Sequence, residues 1–185
     1  MSIANKVSTF RLLSVPFFIA SLLYYSPQRD WLRKVALGIF LLAVISDAVD
    51  GFLARKTKQN SCAGLILDPL ADKILLMSAF ICLYFIKSFP KGISFPLWVS
   101  LIVVSRDAII LLGALLILLI KQNIKFYPTR WGKLTTTFQM LSVMGVLSQW
   151  RISSLLWSLA VIFTLISGAN YIMQGFKILY EPGNS

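Results

Sequence analysis

Six apolar runs fill most of this 185-residue chain, at about 8–25, 34–54, 63–86, 95–120, 131–149 and 153–176. A helix needs about 20 apolar residues to cross roughly 30 Å of hydrocarbon. Runs of this length therefore predict an all-α integral membrane protein with six transmembrane helices. The breaks between them carry turn and charge signals: Ser26-Pro27-Gln28-Arg29-Asp30, the stretch 56–61, Ser88-Phe89-Pro90-Lys91-Gly92, and 121–128. The fifth break, around Trp150-Arg151, is short. Only 14% of residues are charged, against about 25% in an ordinary soluble domain. The length, with no linker, repeat or low-complexity tract, predicts a single domain over 1–185. The first run is long, carries Arg11 and is followed by further spans, so it reads as a retained helix rather than a cleaved signal.

The chain has 18 Lys or Arg, 7 Asp or Glu and no His, for a net charge of +11. Without His there is no Ser-His-Asp triad, no His-ligated zinc and no His proton shuttle. Cys62 and Cys82 are too few and too far apart for a disulfide framework or a four-thiolate metal site. Basic residues set around long apolar runs point to anionic lipid headgroups rather than nucleic acid. With the N-terminus inside, the cytoplasmic side collects Lys6, Arg11, Arg55, Lys56, Lys58, Lys121, Lys125, Arg130, Lys133 and Lys177. The other side takes Arg29, Arg33, Lys34, Lys87, Lys91 and Arg151, a bias that places both termini in the cytoplasm. Lys73 and Arg106 are left inside spans.

Four of the seven acids, Asp47, Asp50, Asp68 and Asp72, fall within 26 positions, at the end of the second run and the start of the third. An ionised Asp at a helix centre costs about 2.5–3.5 kcal/mol on insertion scales. Arg55 and Lys73 together cannot neutralise four carboxylates. Asp47 and Asp50 are spaced i,i+3, and Asp68 and Asp72 i,i+4, so each pair shares one helix face. The short loop between the runs predicts antiparallel neighbours that bring both pairs to the same, cytoplasmic, depth. Four hard oxygen donors suit Mg²⁺ or Mn²⁺, and their number is enough for two ions. Two such ions about 3.5–4 Å apart form a clamp for in-line displacement at phosphorus. A cation transporter whose Asp residues line an ion path is the alternative of a different class.

The residues between the acids separate these readings. Asp47-Ala48-Val49-Asp50-Gly51-Phe52-Leu53-Ala54-Arg55, then eight residues, Gly64, three residues, Asp68, three residues and Asp72 resemble the signature DxxDGxxAR-x8-GxxxDxxxD of the CDP-alcohol phosphatidyltransferase family. At roughly 5% per fixed residue, chance would give this match about once in 10¹⁰ starts. Gly51, Ala54 and Gly64 remove side-chain bulk where a nucleotide could lie against the backbone, and Arg55 offers a fork for a diphosphate. Small residues at such spacing also serve close helix packing. A plain ion path has no need of that framework.

The resemblance implies the six-helix CDP-alcohol phosphatidyltransferase fold, a homodimer, and transfer of a phosphatidyl group from CDP-diacylglycerol to a second alcohol with release of CMP. By the same carry-over Asp47, Asp50, Asp68 and Asp72 ligate two Mg²⁺ or Mn²⁺ ions, and Asp72 also takes the proton of the attacking hydroxyl. Asp50, Gly51, Ala54, Arg55, Gly64 and Asp68 line the CDP site. It further implies a multi-pass protein of the cell's inner membrane, with its active site facing the cytoplasm.

The acceptor motifs are mixed. Leu67-Asp68-Pro69-Leu70-Ala71-Asp72-Lys73 is similar to the LDPxADK form in the branches making phosphatidylglycerophosphate and cardiolipin. Asn5, Ser8, Arg11 and Pro16 resemble the NxxTxxRxxxxP start of both, with Ser8 for Thr. Gly132-Lys133-Leu134-Thr135-Thr136 with Gln139 is similar to the GKxKTxxQ segment of the first branch, with Leu134 for Lys. Ser105-Arg106-Asp107 resembles the SRD segment of the second. Glycerol 3-phosphate is the leading acceptor and phosphatidylglycerol the alternative. Both bear a phosphate, for which Lys73, Arg106 and Lys133 are the candidate ligands. For Arg106 the competing reading is a private ion pair, with Asp107 or with a motif acid.

Overall fold

The computed structural model describes the backbone of residues 3–57, 62–86, 89, 93–120 and 130–180, and the side chains among them except those of 3–8, 48–70, 114–120, 130, 172 and 174–180. Six α-helices follow one another: α1 Ile3–Leu23, α2 Trp31–Thr57, α3 Cys62–Phe85, α4 Leu97–Ile120, α5 Arg130–Leu147 and α6 Ser153–Tyr180. A 3-10 turn, Pro27–Arg29, joins α1 to α2. No strand occurs among the described residues. Each helix coincides with one of the six apolar runs.

Local chemistry explains the ends. Pro27 opens the turn after Ser26, whose carbonyl accepts the Arg29 N–H at 2.8 Å. Pro96 precedes α4, and its carbonyl accepts the N–H of Val99 at 3.1 Å. Past α5, Gln149 sits at φ 55°. Its N–H bonds the Val146 carbonyl at 3.0 Å, and the Trp150 N–H bonds the Gly145 carbonyl at 2.9 Å. These two bonds around a left-handed residue form a Schellman ending. The link between α5 and α6 is short because this turn reverses the chain at once.

The buried residues of α1, Arg11, Ser14, Val15, Phe18, Ser21 and Leu22, recur at three- and four-residue spacing and form one stripe. Helix α1 packs against both α2 and α3, α4 against α3 and α6, and α5 chiefly against α6. The direct α2–α3 pairing expected from their short loop falls on the stretch 48–70, whose side chains lie outside the described residues. Among the described residues both helices pack on α1. Phe18, Phe40, Phe80, Leu83, Val99 and Val143 make the apolar centre.

Polarity is distributed as hydrocarbon solvent favours. Asp107, Thr135, Gln139, Ser142, Thr164 and Ser167 are fully buried, while Leu13, Phe17, Leu42, Phe85, Leu101, Leu112 and Leu165 are exposed. The polar residues of α5 and α6 form a seam: Thr135 donates to the Trp131 and Phe163 carbonyls, both at 2.9 Å, and Gln139 donates to Thr164 Oγ1 at 3.3 Å. Hydroxyls and small residues of this kind join helices in membranes. Among the described residues Ser153–Tyr171 is apolar and long enough to cross a membrane by itself, and Thr9–Leu23 is apolar but shorter. Helices α1 to α4 carry charges within their spans, and those charges build the site.

Candidate active site

Among its described side chains, helix α1 contributes one charged group, Arg11, to the buried interior. Arg11 is 2% exposed, and its guanidinium reaches carboxylates on two other helices. Its Nη2 lies 3.1 Å from Asp47 Oδ1 on α2, and its Nη1 donates to Asp72 Oδ1 on α3. The structure thus brings together two of the four predicted metal ligands, from different helices, at one point. Asp47 and Asp72 stay 38% and 23% exposed, so their outer sides remain open to an ion or substrate. The Arg11 Nε has no hydrogen-bond partner.

One position on from Asp72, the α3 helix turns Lys73 about 100° away, toward α4. Lys73 Nζ lies 2.9 Å from Asp107 Oδ2, and Arg106 Nη1 bonds Asp107 Oδ1 at 2.5 Å. Asp107 is completely buried and serves both cations. Helix α6 holds Arg106 from the other side. Ser167 Oγ accepts from its Nη2, and the guanidinium carbon lies 5.5 Å from the centre of the Tyr171 ring.

The site therefore has two halves of opposite sign. Among the described side chains Arg11 faces two carboxylates, leaving one negative charge in excess, whereas Asp107 faces two cations, leaving one positive charge in excess. Consecutive residues, Asp72 and Lys73, join the halves. A carboxylate pair favours a hard cation; a buried pair of cations with a single counter-ion favours a phosphate. Asp47 and Asp72 each turn one oxygen toward the Arg11 guanidinium and keep an exposed side, and carboxylate oxygens are the donor type that Mg²⁺ or Mn²⁺ takes.

The predicted residues separate as follows. Asp47 and Asp72 converge, and Lys73 and Arg106 meet at Asp107, which is the ion-pair reading of Arg106. Lys133 is exposed on α5. Asp50, Gly51, Ala54 and Arg55 lie on the C-terminal part of α2, and Gly64 and Asp68 on the first turns of α3. Their side chains lie outside the described residues, as does the predicted four-carboxylate convergence. Among the described residues no group of three or more His, Cys, Asp or Glu comes together. Sequence reasoning missed Arg11, Ser167 and Tyr171 as site residues. For Arg11 the signal was a lone cation inside an apolar run; a serine and a tyrosine in α6 gave none.

A family model described as CDP-alcohol phosphatidyltransferase matches residues 1–166. The chain is 32% identical over 189 residues to a CDP-diacylglycerol–glycerol-3-phosphate 3-phosphatidyltransferase of Aquifex aeolicus, covering 98% of this chain and 99% of that one. It is also 32% identical to the Haemophilus influenzae protein of the same name, over 87% of this chain and 82% of that one. A probable phosphatidylglycerophosphate synthase of Mycobacterium tuberculosis is 28% identical over 95% of this chain and 82% of its own.

Proposed function

The chain belongs to the CDP-alcohol phosphatidyltransferase family, and from that premise we propose that it transfers the phosphatidyl group of CDP-diacylglycerol to glycerol 3-phosphate, forming phosphatidylglycerophosphate and CMP. The observation that carries this reading is the site of two signs, with carboxylates at Asp47 and Asp72 beside cations at Lys73 and Arg106. One reactant is an activated diphosphate and the other a phosphate-bearing alcohol. The near-full-length likeness to relatives named for this reaction supports the choice of acceptor.

In this mechanism the acceptor phosphate docks at the Lys73–Arg106 side, where the excess positive charge meets its oxygens. Docking there places the acceptor hydroxyl toward Asp72, one residue away in sequence. The hydroxyl oxygen attacks the β-phosphorus of CDP-diacylglycerol, its proton passes to the Asp72 carboxylate, and the bond from β-phosphorus to CMP breaks. Gly51, Ala54, Arg55 and Gly64 hold the cytidine diphosphate. Asp47, Asp50, Asp68 and Asp72 would hold Mg²⁺ or Mn²⁺, which when bound supplies positive charge to the diphosphate. A carboxylate base near metal removes the need for a His.

The proposal extends to the setting. The exposed apolar belt and the buried polar interior suit a bilayer, and the Lys and Arg bias suits an inner membrane with the site opening to the cytoplasm. A homodimer belongs to the same reading.

The test is purified full-length protein in detergent with labelled CDP-diacylglycerol, Mg²⁺ or Mn²⁺, and glycerol 3-phosphate, phosphatidylglycerol or glycerol. CMP release with glycerol 3-phosphate is expected, reduced by about 100-fold or more in Asp72→Asn, as loss of a general base requires. Release with phosphatidylglycerol alone would move the assignment to cardiolipin synthesis. Absence of CMP with every alcohol, or activity surviving Asp72→Asn, would refute the transferase mechanism.

A further inference from the structure

Arg11 occupies a place that the transfer reaction alone does not explain. Its head group is buried, reaches Asp47 and Asp72 from a third helix, and uses one oxygen of each. Helices α2 and α3 both pack on α1, so Arg11 is the group lying between their carboxylates. An oxygen that accepts a guanidinium N–H is not free on that side for an ion. An ion taken by the other oxygens instead sits close to a positive charge of the protein. Either way, Arg11 and a divalent cation contend for the same two acids.

The orphaned Nε bears on how that contest ends. Arg11 makes its ion pairs through Nη1 and Nη2 only, and Nε has no partner. The head group is therefore held by the two acids and by packing. Once those acids turn to an ion, no further hydrogen bond among the described residues keeps the guanidinium in place.

We propose that Arg11 is a built-in counter-cation that competes with the divalent ion for Asp47 and Asp72 and is displaced from them when the ion binds. The proposal rests on the metal-site reading above and deepens it. Arg11 offsets the repulsion between the two carboxylates and, for the same reason, weakens their affinity for metal. It acts through the metal ligands, as a positioning residue, and has no contact with substrate in this role.

The experiment is titration of Mn²⁺ into detergent-purified, chelator-stripped full-length protein, read by calorimetry and by electron paramagnetic resonance of the free ion. The wild type is compared with Arg11→Gln, Arg11→Lys and Asp72→Asn. Arg11→Gln removes the competing charge, so Mn²⁺ should bind tighter by at least about tenfold, a floor well below the bare repulsion between a divalent ion and a neighbouring unit charge at the effective dielectric of a protein. Arg11→Lys keeps the charge but cannot fork to both acids, so its affinity should lie between those of wild type and Arg11→Gln. Binding no tighter than wild type in both variants overturns the proposal, and weaker binding identifies Arg11 as a prop for the acids. If Arg11→Gln fails to keep its helical circular dichroism, Arg11→Lys against wild type decides alone. A wild type that binds no Mn²⁺, or an Asp72→Asn variant that binds as wild type does, overturns the metal-site reading itself and this proposal with it.

Discussion

Substituting Asp107 by Asn should be among the most damaging single changes in the bundle. The carboxylate is fully buried, and its two partners, Lys73 and Arg106, are only 15% and 10% exposed, at 2.9 and 2.5 Å. Asn keeps the shape and one accepting oxygen but removes the charge, leaving two buried cations without a counter-ion. Breaking a buried pair in this way costs about 3–5 kcal/mol. For a chain of this length about 2–4 °C of Tm is lost per kcal/mol, so a fall of roughly 10 °C is expected. Thermal unfolding in detergent, followed by far-ultraviolet circular dichroism, reads it. A second substitution sharpens the test. Adding Lys73→Met to Asp107→Asn removes one stranded cation, and an apolar replacement of similar length should restore at least about 1 kcal/mol. A Tm within about 2 °C of wild type for Asp107→Asn would refute the reasoning. So would a double variant that loses the sum of the two single losses, because the residues would then act independently.

Two further outcomes follow from the described geometry. Gln149 holds the left-handed position that ends α5, where glycine carries no Cβ penalty, so Gln149→Gly should raise stability by about 0.5–1 kcal/mol, measured as a higher Tm in detergent. The Arg33 side chain, bonding both Asp30 oxygens at 2.6 and 2.8 Å, holds the Asp30 carboxyl below its ordinary range. A lowered folded pKa gives stability that is complete above the ordinary carboxylate value and is lost as pH falls through the lowered one; the Tm gap between wild type and Asp30→Asn should therefore be present at neutral pH and close in acid.

How much of this was legible in the sequence depends on how far apart the interacting residues lie. The six helices were legible because each rests on a local run of apolar residues. The end of α5 was harder, since its turn uses Gln149 where glycine would have announced it. The ion pair of Arg106 with Asp107 was within reach because the residues are adjacent. Arg11 was legible as a cytoplasmic cation and as part of an N-terminal motif, but not as the partner of Asp72, which lies 61 positions away. No local pattern reports that α2 and α3 both pack on α1. Chemistry-bearing residues could be picked out by rarity, four carboxylates in an apolar chain, but which cation answers each acid depends on helix packing that spacing does not encode.

The seam between α5 and α6 has a consequence for how the chain enters a membrane. Thr135 and Gln139 donate hydrogen bonds to α6, at the Phe163 carbonyl and the Thr164 hydroxyl. Alone in hydrocarbon, α5 would present these groups to lipid, with Lys133 and Ser142 on the same helix. The Schellman turn puts α6 directly behind it, and α6 contains the stretch apolar enough to cross unaided. Biogenesis should therefore treat the pair as one hairpin: α5 waits at the translocon until α6 emerges, and the two partition together.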